Sequence, residues 1–118
     1  MSSIEALVHK VKNHPEAIEF SEVMSAIDSA YDFTPTAFTN GDTQNASGQN
    51  NGSCKVFALA KILQLTESDT LALFGEYYRN DVLGNPQGDD HQNIRNFIKQ
   101  GWAGIKFEGL ALSPKSTS

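Results

Sequence analysis

The chain has 118 residues, enough for one domain with a self-sufficient core and no need of a disulfide or metal staple. Its lone cysteine, Cys54, excludes an intrachain disulfide and a cysteine-based zinc site, which fits a reducing compartment. A formal charge of -5 without a lysine/arginine cluster disfavours nucleic acid as a partner, and no run approaches the ~20 apolar residues of a membrane span.

Ser2 and Glu5 form a capping box, after which Ile4, Leu7, Val8 and Val11 fall at i, i+3, i+4 and i+7, the pattern of a helix with one buried stripe. No basic region followed by an apolar one precedes it, so a soluble chain without a signal peptide is expected. Pro15 closes this helix. Ser21 is the expected cap of a second, carrying Val23, Ile27, Ala30 and Tyr31, and Thr34-Pro35 ends it. Thr36 to Phe38 reads as extended. Residues 39–52 hold no apolar side chain larger than Ala46 and predict a polar loop whose stretch 42–51 is the most mobile interior segment.

Ser53 is the expected cap of a third helix, apolar around most of its circumference and therefore central to the core. Thr66, with Asp69 in the first turn, opens a fourth helical stretch that Gly75 kinks or splits. After the turn Gly84-Asn85-Pro86-Gln87-Gly88, Asp89 or Asp90 caps a fifth helix with Ile94, Phe97 and Ile98 inward and Gly101 as its stop. Ile105 and Phe107 alternate with Lys106 and Glu108, a one-sided strand whose partner is the extended piece near Phe38. Residues 113–118 read as a polar tail. The fold class is mainly α within α+β: about five helices around a central one, with a minimal two-stranded antiparallel pair, in a single domain over residues 1–112.

Chemistry concentrates at two predicted helix starts. A thiol there meets unpaired backbone N–H groups that favour thiolate, so Cys54 with His91 and Asp90 (or its neighbour Asp89) supplies the parts of a nucleophilic site. On a wheel of about 3.6 residues per turn, Val56, Leu59, Ala60 and Leu63 form the buried face, while Cys54 falls nearly opposite, near Lys61. Gln49 before a G-S-C echoes papain-like proteases, but His91 follows too soon for their second domain to intervene. The positive end of a helix also disfavours an imidazolium at His91. The favoured reading makes Cys54 a small semi-buried residue that titrates like an ordinary thiol.

Gly48, Gly52 and Lys55 do not have P-loop spacing, because the lysine does not follow the second glycine directly. Weaker anion binding by Gln49, Asn51, Gly52, Ser53 and Lys55 stays open. His9, His14 and His91 are scattered, so no metal is expected, and no cofactor motif is present. Tyr77, Tyr78 and Arg79 read as a partly exposed aromatic edge, with a contact surface as the alternative. The N-x-S sequons at Asn45 and Asn51 are read as loop composition.

Five stretches, YDFTPTAFTNG at residues 31–41, NNGSCKVFALA, LFGEYYRNDVL, GDDHQNIRNFI and GWAGIKFEG, together resemble the HopJ type III effector family over nearly the whole chain. The resemblance implies a protein of the bacterial cytoplasm that type III secretion delivers into host cells, where it meets a host protein. It brings no established catalytic residues. The expected function is therefore that of an effector-like protein acting through protein interaction, with a thiol-dependent hydrolase or transferase built on Cys54 and His91 as the alternative. A helix beginning at Ser2 also differs from the polar, unstructured start usual in effectors, and predicts poor export without unfolding.

Overall fold

A computed structural model describes residues 3–115, with no side-chain detail at Ser3. The Ser2 end of the expected capping box and residues 116–118 of the expected tail lie outside them. Helix α1 (Ser3–Asn13) buries Leu7 and Val11, one turn apart, against α2 (Phe20–Ala30). An ion pair from Lys10 to Glu22 joins the same two helices, and one from Lys12 to Asp69 ties α1 to the helix that holds Asp69. A short 3-10 turn, Pro15–Ala17, then drops the fully buried Ile18 into the core. Ser21 does not cap α2. The helix starts at Phe20 with Glu19 in the cap position, two residues earlier, and the Phe20 N–H donates to Glu76 Oε1 at 3.0 Å, a cap from 56 residues away that no local pattern reveals.

Tyr31 leaves the helix and opens β1 (Tyr31–Phe33), which pairs antiparallel with β5 (Leu112–Pro114) in the register Phe33 to Leu112 and Tyr31 to Pro114. The ordered chain thus runs past the expected boundary at residue 112, because Leu112 is buried on α3 and the Lys115 N–H bonds to Ala30 O. The expected pair near Phe38 is present and has a third member. Strand β2 (Phe38–Asn40) lies between β3 (Thr43–Asn45) and β4 (Ile105–Phe107), all antiparallel, with Phe38 opposite Phe107 and Asn45. The supposed polar loop is therefore half hairpin.

Helix α3 (Asn51–Leu63) is central, as its composition predicts, with Val56 to Ala60 all buried. Phe57 is the hub of the aromatic core: the rings of Phe38, Phe74, Phe97 and Trp102 lie 5.0–6.4 Å from it. Thr66 accepts from the Asp69 N–H and caps α4 (Glu67–Ala72). Gly75, at φ +61, then splits the fourth helical stretch. A Cβ there would lie 2.6 Å from the Phe20 nitrogen, so only glycine fits. The chain resumes as a π-helical turn, Tyr77–Val82, in which the Leu83 N–H reaches back to Tyr78 O. Helix α5 (Gln92–Gln100) ends at Gly101 as expected, and a second 3-10 turn, Gly101–Gly104, leads into β4.

Candidate functional site

Both predicted helix starts are displaced. Asn50, not Ser53, precedes α3, and His91, not Asp89 or Asp90, precedes α5. Both have left-handed backbones (φ 52 and 50), and neither makes a side-chain cap. Asparagine tolerates that conformation readily and histidine also adopts it more often than most residues. Neither helix has a carboxylate in its first turn. The two starts meet at a cleft of about 450 Å³, closed from the side by Phe20, Phe74 and Tyr77.

An asparagine network braces the cleft from behind. Asn93 Nδ2 donates to Asn45 Oδ1 at 3.0 Å, and Asn93 Oδ1 accepts from both Asn40 and Asn45. Asn50 adds a 2.6 Å bond to Asn45 Oδ1, and Asn96 bonds to Asn40 O and Thr43 Oγ1. These amides join the β2–β3 hairpin to the starts of α3 and α5. Asn40, Asn45 and Asn93 are buried, and a buried amide is stable only when it is bonded in this way. Asn40 Oδ1 is the exception, the buried side-chain oxygen left without a partner among the described residues.

Each of the three groups of the nucleophilic reading has its bonding partner outside the three. Cys54 is buried; its Sγ donates to Thr36 O at 3.6 Å, and burial pushes the thiol above its ordinary titration range. The residue expected to be semi-buried is thus enclosed. The helix wheel misplaced Cys54 because α3 is enclosed on that side too, by the Thr36 segment. His91 does face the cleft, but its Nε2 lies 2.9 Å from Asp81 Oδ2 and its ring stacks on Tyr77 at 5.1 Å. Asp90 turns away to Arg95, whose bond holds its carboxyl below the usual range and whose other nitrogens secure Asn85 O and the Asp90 carbonyl.

The anion-site residues also divide. Gly52 and Ser53 line the cleft. Lys55 instead pairs with Asp28 at 2.9 Å and lies over the Phe33 ring, and Gln49 Oε1 accepts from the Ala46 N–H. Arg79 bonds to Ile18 O at 2.6 Å. Asn50, Asn93, Phe20 and Asp81 are functional candidates that sequence reasoning missed, while Tyr77 was singled out only as part of an aromatic edge. A usable signal was the recurrence of asparagine at positions 40, 45 and 50 in a stretch otherwise read as formless. No group of three or more His, Cys, Asp or Glu among the described residues is placed to hold a metal, and no helix there is long and apolar enough to cross a membrane.

A family model described as HopJ type III effector protein matches residues 4–112. The chain belongs to this family. A solved relative, described as the crystal structure of unknown function protein VPA0580, superposes with a TM-score of 0.92 at 51% sequence identity, covering 94% of this chain and 92% of that one. No curated protein matches the chain. The HopJ match thus takes in every element from α1 to the start of β5, including the hairpin, the asparagine network and the cleft.

Proposed function

We propose that this HopJ protein is an effector, delivered by type III secretion, that acts by binding a protein partner and not by thiol chemistry. Membership of a family described as type III effectors supports delivery. The observation that carries the interaction reading is an exposed apolar face that shares no residue with the cleft: Leu110 is 73% and Ile62 44% exposed, and both line a groove of about 240 Å³ together with Ala58 and Phe107. Lys61 stands at its rim with the ammonium 5.7 Å from the centre of the Phe107 ring. Adjacent large apolar side chains held in water are characteristic of binding faces. The pattern suits a partner segment that inserts an apolar side chain beside a carboxylate, the latter meeting Lys61.

The test has two arms. A full-length reporter fusion should reach host cells from a secretion-competent strain and not from a type III-defective one. Among host proteins cross-linked to the delivered chain, those captured through this face should disappear with Leu110→Asp and Ile62→Asp but persist with Leu83→Asp, which alters an exposed leucine elsewhere. Equal capture by all three variants would refute the face, and equal transfer by the two strains would refute delivery.

A further inference from the structure

We propose that the cleft between the starts of α3 and α5 binds a neutral, hydroxyl-rich ligand of mono- or disaccharide size. Its volume, about 450 Å³, lies within the range of small-ligand pockets. Its walls differ in kind. Phe20 and Tyr77 present carbon, which suits the C–H face of a sugar ring, while Asn50 and Ser53 present amide and hydroxyl groups, with the buried Asn93 behind them.

Charge is what separates this ligand class from others. No lysine, arginine, aspartate or glutamate lines the cleft, and His91 has its Nε2 engaged with Asp81. The nearby cations are committed elsewhere: Lys55 to Asp28, Arg95 to Asp90 and the loop carbonyls, Arg79 to Ile18 O. Sites for phosphate or carboxylate groups generally employ such cations, arginine above all as a two-pronged clamp. The polar wall instead offers neutral donors and acceptors held in place. Asn93 is fixed by two asparagines, and Asn50, with Nδ2 on Asn45, keeps its Oδ1 in reserve. The Ser53 hydroxyl forms no bond among the described residues. Pre-oriented amides with spare capacity match the alternating donor and acceptor character of sugar hydroxyls, at little ordering cost.

The two helix starts would attract an anion by their dipoles, so the experiment sets the classes against each other. The ¹⁵N-labelled full-length protein is titrated with glucose, N-acetylglucosamine and maltose, and separately with inorganic phosphate. At least one saccharide should give saturable shifts centred on the amides of residues 50–53 and 91–94. Asn50→Gly, which keeps the left-handed backbone, and Ser53→Ala should each weaken it about five-fold, the loss of one hydrogen bond. Amide shifts remote from the cleft report that both variants are folded. Absence of saturable shifts with all three sugars, shifts centred elsewhere, unchanged affinity in both folded variants, or tighter binding of phosphate at the same amides would overturn the proposal.

Discussion

Cys54 shows how one enclosed atom decides between two chemistries. A thiol at an exposed helix start is activated, whereas one buried under the Thr36 carbonyl is held protonated. Because the folded state raises its pKa, this group's contribution to stability is complete below the unfolded thiol value of about 8.5 and is lost as pH rises through the folded one. Iodoacetamide at pH 8 should therefore modify native Cys54 far more slowly than the denatured chain, and His91→Ala should leave the rate unchanged. An alkylation rate that falls in His91→Ala would restore the thiol reading. Asp90 has the opposite sign. Its pKa is lowered by Arg95, so its contribution is present above the unfolded carboxylate value and disappears as pH falls through the folded one.

At the scale of elements, the amides of the hairpin and the break at Gly75 do what apolar periodicity does elsewhere. Asn45→Ala would leave Asn93 short of a partner in a buried setting and free Asn50 from the hairpin. A loss of about 1–3 kcal/mol in urea unfolding is expected. For the same reason, NMR order parameters at residues 43–45 should equal those of the strands beside them, against the mobility that composition alone predicts. Gly75→Ala combines a left-handed backbone with a clash at the Phe20 nitrogen and should cost about 2 kcal/mol or more by the same measurement. The amphipathic helices were legible because their signal repeats every turn. Three-residue strands carry at most two inward side chains, too few to stand out, and the cap that Glu76 gives Phe20 exists only after folding.

For the whole molecule, the buried aromatic hub and the docked α1 bear on stability and, under the proposed delivery, on export as well. Phe57→Ala should cost about 3–5 kcal/mol, since four aromatic rings rest on it. Leu7→Ala should cost about 2–4 kcal/mol and, by loosening α1 from α2, raise the export rate of a full-length fusion through a secretion channel that accepts unfolded chain. Export unaffected by a variant shown to be destabilised would dissociate folding from delivery. Fold class, central helix and the β2–β4 pair could be read from the residues because each rests on composition or pattern. The cleft could not, since its walls come from five separate segments and its polar side chains look like loop filler until the hairpin folds against α5.

The pairing of β2 with β4 also sets a clock. About seventy residues separate Phe38 from Phe107, and β1 waits still longer for β5. At a synthesis rate of about 10 residues per second, strands 31–33 and 38–40 spend about seven seconds without those partners. Closing loops of that length is also among the slower steps in folding. A newly made chain thus passes through an interval in which helices can form while neither sheet is complete, and in that interval it can still be threaded.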